Sequence, residues 1–315
     1  MTATGDHPDQ QVTGRDVFLG ASCLLAEISL SFVIASLVKL LQPDLSIFLI
    51  LFFRYLFCLP LLLVYGWRQR RRALLQINNK SALVLRTLSG FMGLLTWFVA
   101  VSLIDLSLAT ALSKMLPIFI TILAPLLLGE KVGLKRFGAV VIGFLGVALL
   151  LEPVSFEKLG LGLVAGLAAP FFAALMFIFL RRLGPTEAAV STALWYNMTG
   201  VVLAGMISFL EGSLPAFMAG SIDHDWWLLL IGIGVLASFQ QLMMALSHVF
   251  APASVLAPVH YAAIPIGVAT GVVFFGEELT MNFIIGVLII LAANYYILVR
   301  ERAQQRHTAG KYSRG

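Results

Sequence analysis

The chain has 315 residues, 60% of them hydrophobic and only 12% charged, with a formal net charge of +5 and a mean hydropathy of +0.95. That balance excludes a soluble domain, and apolar runs of 18 or more residues along the whole length exclude the short alternating strands of a membrane barrel. The fold expected is all-α and integral to the membrane.

The first fourteen residues include Asp6 and Asp9 and no Lys or Arg, and the first apolar run is about 25 residues, longer than the apolar region of a cleaved signal peptide. The first helix is expected to stay in the mature protein. Breaking the sequence at charged and Gly/Pro-rich joints gives ten spans, near 16–40, 46–67, 82–103, 108–128, 136–152, 159–180, 188–211, 226–248, 254–275 and 281–299. The joints are too short to hold a folded domain outside the membrane.

In the first span Glu27 sits near the middle, with Ser31 one turn later on the same face. A carboxylate at that depth couples protons or binds a cationic substrate group; the structural alternative is an ion pair with Arg54 or Lys114. Arg54 lies about 12 Å from the start of the second span at 1.5 Å per residue and is read as a structural charge that pairs with or ties a neighbouring helix. Cys23 and Cys58 fall inside spans and serve as small apolar fillers, offering neither a disulfide framework nor a metal centre. Trp97 and Phe98 in the third span, and Phe171 and Phe172 after Pro170 in the sixth, suit stacking on a planar substrate or plain packing.

The fourth span, LATALSKMLPIFITILAPLLL, is interrupted by Pro117 and Pro125, carries Lys114 about two turns inside and is followed by Gly129-Glu130-Lys131. An ammonium there costs on the order of 3 kcal/mol on insertion scales, so it needs a partner, a wet cavity or a path to the interface. Gly143 with Gly146, and Gly162 with Gly166, are expected to let helices approach closely. Trp195, Tyr196 and Asn197 are assigned to packing, and Trp226-Trp227 to an interfacial belt. Gln240 and Gln241 lie mid-way along the eighth span and point about 100° apart, so at most one faces a cavity squarely.

The ninth span repeats the fourth. At an offset of 147 residues, Ser107 falls on Ser254, Ser113-Lys114 on His260-Tyr261 and Gly129-Glu130 on Gly276-Glu277. Two halves of five spans each must run in opposite directions, an architecture of alternating-access carriers with broken helices near the midplane. With the N-terminus inside, 17 of the 21 basic residues gather on the cytoplasmic side, among them Arg68, Arg70, Arg71, Arg72 and Arg86; Lys39 and Lys158 fall outside. The basic excess is thus a topology signal and no sign of nucleic-acid binding.

Arg54, the stretch from Pro117 to Glu130 with its LGE ending, the following GAVVIGFLGVALLLEP, and FFGEEL at Phe274 to Leu279 together make the chain resemble the EamA-type transporters of the drug/metabolite transporter superfamily. The likeness runs from about residue 16 to 299. It implies ten transmembrane helices as two inverted five-helix repeats, residues 16–152 and 159–299, between a cytoplasmic tail of residues 1–15 and a basic cytoplasmic tail of residues 300–315. It also implies a central cavity lined by the first, third, fourth, sixth, eighth and ninth helices. Members carry amino acids, nucleotide-like cofactors, vitamins and other small metabolites.

The expected substrate site comprises Glu27, Ser31, Trp97, Phe98, Lys114, Gln240, His260 and Tyr261, with Glu27 also the coupling group. The expected function is secondary transport of a small polar metabolite across the inner membrane; the alternative is a channel or scaffold. The chain has no H-E-x-x-H, G-x-S-x-G or Walker A motif, so neither an enzyme nor an ATP-driven pump is expected, and no cofactor or metal. Expected partners are the small-molecule substrate and membrane lipid, with a homodimer allowed for and no nucleic acid.

Overall fold

A computed structural model describes residues 14–128, 134–150, 156–183, 187–220, 225–251, 256 and 258–312. Among them are helices and turns, and no strand. The helices are α1 (Gly14–Leu41), α2 (Ile47–Arg70), α3 (Lys80–Leu103), α4 (Leu106–Ser113), α5 (Leu116–Leu128), α6 (Leu134–Leu150), α7 (Phe156–Leu183), α8 (Ala189–Leu210), α9 (Ser213–Met218), α10 (Asp225–Phe250), α11 (Ala263–Phe275) and α12 (Met281–Tyr312). Eight stretches are long and apolar enough to cross a bilayer, the fourth of them formed by α4 and α5 together. The apolar helices Phe137–Leu150 and Val259–Phe275 are shorter. The Gly129-Glu130-Lys131 and Ser254 positions of the expected repeat lie outside the described residues.

Helix starts follow local chemistry. Ser46 Oγ accepts the Phe48 N–H at 3.2 Å and opens α2; Asn79 Oδ1 accepts the Ala82 N–H at 3.1 Å and opens α3. The break between α4 and α5 falls at Lys114 and Met115, one turn before Pro117, because that proline has no N–H to offer the Ser113 carbonyl. A short 3₁₀ turn, Val259–Ala262, interrupts the chain in the same way one turn before Pro265. Pro125 was expected to break the fourth span as well, yet it lies inside α5.

α1 packs on α10, α3 on α7, α2 on α8, α6 on α12, and α4 on α11. The glycine pairs do what their spacing suggests. A methyl on Gly146 would lie 3.0 Å from the Gly286 carbonyl oxygen, and one on Gly286 would lie 2.8 Å from that of Gly146, so α6 and α12 touch backbone to backbone. Gly162 lies against Leu103 and the Ile104 side chain, and Gly166 against the Leu112 and Ile104 side chains. The Trp227 ring packs 4.5 Å from that of Phe217 and 5.4 Å from that of Phe53.

One end of the bundle is tied by the Asn78 and Asn79 N–H groups, which both donate to Glu187. At the other end Ser46 hydrogen-bonds Glu211.

Candidate functional site

The interior polar cluster is assembled from α1, the α4–α5 break, α10 and the 3₁₀ turn ahead of α11. Gln240 Nε2 donates to Glu27 Oε1 at 3.0 Å. One residue on, Gln241 turns away towards Asn197 at 3.4 Å and Cys58 Sγ at 3.6 Å. The 100° step between neighbouring helical residues therefore sends Gln240 to the carboxylate and Gln241 into the contact between α2, α8 and α10.

Lys114 caps the C-terminal end of α4, and the break fixes it from two sides. Its carbonyl accepts the Asn294 Nδ2–H at 2.7 Å, and its ammonium donates to the His260 carbonyl at 3.4 Å. The Glu27 carboxylate interacts electrostatically with Lys114 and His248, and His260 with Lys114 and His248. No ion pair joins Glu27 to Lys114, so the two charges share a region without neutralising each other through direct contact. Such an arrangement leaves one carboxylate and one ammonium able to meet a ligand.

Ser31 is half-buried one turn along α1 from Glu27, and Tyr261 is half-buried in the 3₁₀ turn beside His260. Trp97 is half-buried against the main hydrophobic core, whereas Phe98 is 1% exposed and enclosed in it. Among the described residues Arg54 pairs with no carboxylate; its guanidinium lies 5.3 Å from the centre of the Tyr55 ring. Phe171 meets Phe119 and Phe172 edge-on.

A second charged centre lies at the Glu211 end of the bundle. Glu277, 9% exposed, accepts the Leu106 N–H at 2.5 Å, the Ser107 N–H at 2.9 Å, the Ser107 hydroxyl at 2.6 Å and the Lys39 ammonium at 3.4 Å. Lys39 also donates to the Ile104 carbonyl at 2.9 Å. The carboxylate thus caps α4 from the end of α11 and ties it to α1. The Lys39 side chain is largely withdrawn into this latch. Exposed Asp105 beside it has its carboxyl raised above the ordinary range, by desolvation first and then by Glu277, with Lys39 acting the other way.

Residues 19–152 match the EamA-like transporter family. An uncharacterised transporter of Helicobacter pylori strain J99 is 30% identical over 242 residues, covering 76% of this chain and 80% of its own. The chain belongs to the EamA-like transporter family. Two further relatives of this EamA-like transporter are a riboflavin transporter of Vibrio cholerae and an S-adenosylmethionine uptake transporter of Rickettsia prowazekii. The first is 26% identical over 79% of this chain and 80% of its own, the second 25% identical over 84% and 87%. A solved crystal structure 15% identical in sequence superimposes with a TM-score of 0.57 over 92% of this chain and 98% of its own, a likeness of fold alone. This drug/metabolite-superfamily member is a multi-pass membrane transporter and not an enzyme.

Four residues around the transporter's polar centres were missed by the sequence reading. His248 sits near the end of α10 and looks like a terminal polar residue. Asn294 is a lone amide in an apolar helix, and that singularity was its signal. Glu277 was read only as a mark of the repeat, although its alignment with Glu130, opposite the aligned serines Ser107 and Ser254, pointed to a cap. Arg86 was counted only among the basic residues of the cytoplasmic side, and it is 9% exposed inside α3.

Proposed function

We propose that this transporter is a secondary carrier that moves a small zwitterionic metabolite by alternating access between two inverted five-helix repeats, residues 16–152 and 159–299. The observation that carries this reading is the meeting of Glu27 and Lys114 at a helix break without an ion pair between them. A zwitterion offers each charge an opposite partner and strands neither in a low dielectric. Trp97 and Tyr261 supply an aromatic wall, Phe98 packs next to Trp97, and Ser31, Gln240 and His260 add polar contacts. The relative named for S-adenosylmethionine uptake supports this class, since that compound joins an amino-acid zwitterion to a planar base.

The helix pairings support the inverted repeat. Exchanging each span for its counterpart five places on turns the α1–α10 contact into the α7–α3 contact and returns α2–α8, α6–α12 and α4–α11 to themselves. Both termini are then cytoplasmic. A reporter fused after Gly315 is expected to be active in the cytoplasm; activity in the periplasm alone removes the inverted repeat.

Glu27 is the proton-coupling group in this reading. Uptake into proteoliposomes, screened over radiolabelled amino acids, nucleosides and vitamins with and without a pH gradient, tests it. Glu27→Gln keeps the size and the hydrogen bond to Gln240 but cannot titrate. The variant is expected to lose gradient-driven uptake while exchange at equal pH persists. Undiminished gradient-driven uptake by folded Glu27→Gln protein would falsify the coupling role, and flux that never saturates or accumulates substrate would favour the channel alternative.

A further inference from the structure

We propose that Asn294 on α12 is a positioning residue for Lys114: its amide stands in for a backbone N–H that the broken helix does not supply, and so fixes where the Lys114 ammonium is presented. The proposal rests on the reading of Lys114 as a substrate ligand and names the residue that sets it. Around the break the backbone satisfies most of its own groups. The Lys114 N–H donates to the Ala111 carbonyl at 3.1 Å and the Met115 N–H to the Leu112 carbonyl at 2.9 Å, both in the tighter three-residue pattern. The four-residue pattern resumes with the Phe119 N–H, which donates to the Met115 carbonyl at 3.0 Å. Between these sets lie the carbonyls of Ser113 and Lys114. The helical partner of the first would be Pro117, which has no N–H. The second is met from another helix, by Asn294 Nδ2 at 2.7 Å.

Closing off a break does not by itself call for an amide. At the repeat offset of 147 residues α12 begins where α6 does, Met281 on Leu134, and Asn294 falls on Val147 while Lys114 falls on Tyr261. The turn at Val259–Ala262 is thus the counterpart of the break at Lys114, and the residue in the place of Asn294 is a buried valine. The amide accompanies the lysine, not the break. It is also unfavourable where it stands. Asn294 is 1% exposed, and among the described residues its Oδ1 has no hydrogen-bond partner, so the fold carries a buried acceptor that an apolar side chain would spare it. What the amide provides is a fixed Lys114 backbone, from which the ammonium reaches the His260 carbonyl at 3.4 Å within the field of the Glu27 carboxylate. Asn294 acts from behind the cluster, since α12 packs on α6 and α5.

The test is acylation of the purified full-length protein in phosphatidylcholine nanodiscs with limiting acetic anhydride, the rate at each lysine being read by mass spectrometry. Asn294→Leu keeps the size and loses the donor. In this variant Lys114 is expected to be acylated about threefold faster or more, the shift that goes with losing one hydrogen bond, while Lys39 and Lys80 keep their wild-type rates. An unchanged or slower rate at Lys114 overturns the proposal. So does a rise shared by Lys39 and Lys80, which marks a loosened bundle and a merely structural amide. If Asn294→Leu does not fold, Asn294→Ala, which adds no bulk, is judged on the same rates. Acetic anhydride is no substrate, so these rates stand or fall separately from the carrier reading, which substrate binding to Lys114→Ala decides.

Discussion

Replacing Glu277 by alanine is expected to destabilise the protein by about 3–5 kcal/mol, the usual cost of removing one partner from a buried ion pair. The loss has several parts. Lys39 keeps the Ile104 carbonyl and the Phe275 ring but no counter-charge at hydrogen-bond distance, and the Leu106 and Ser107 N–H groups at the start of α4 are left without the Glu277 acceptor. Glu277→Gln is expected to cost less, but not nothing. Both carboxylate oxygens accept from donors, so an amide must turn its own N–H groups towards either Ser107 or Leu106 and Lys39. Thermal unfolding of wild type and both variants checks the order. Equal midpoints for all three would remove the latch from the account of stability. Asp105→Asn is the counterpart on the other side: its raised carboxyl favours the protonated form in the fold, a contribution present below the ordinary aspartate value and lost as pH rises.

Lys114→Ala is expected to weaken substrate binding at least tenfold, about 1.4 kcal/mol, while the protein still inserts and stays monodisperse. The variant strips the ammonium but leaves the backbone carbonyl that Asn294 holds, so the helix break survives. Binding of the substrate found in the uptake panel, measured by titration on purified protein, checks it. Unchanged binding would make Lys114 a structural residue and move the zwitterion's anionic end elsewhere.

The helices, the break at Lys114 and the approach of Glu27 to the polar cluster were legible because charge and proline are rare in these spans and each occurrence carries weight. The rotation of each helix was not. Lipid tails are as apolar as the core, so a membrane helix shows no polar face to mark its outside. Hence Trp97 and the enclosed Phe98 read alike, and Gln240 could not be told from Gln241. Depth along a helix is no better guide to burial: Arg86 lies near a span's start, and only packing reveals that it is buried. Pro125 was over-read because a proline well inside a helix is tolerated when neighbouring helices absorb the bend.

The short helix α4 joins the two charged centres. Its eight residues extend about 12 Å, with the carboxylate of Glu277 at the end where N–H groups are free and Lys114 at the end where carbonyls are free. Each charge sits at the pole of the helix dipole that favours it. Removing the Glu277 carboxylate, as in Glu277→Ala, would uncap the positive pole of α4. The field along α4, and with it the setting of the Lys114 ammonium at the opposite pole, would change with that loss. The two centres are thus linked by one short run of backbone, the eight residues of α4, so a change of charge at either end is felt at the other.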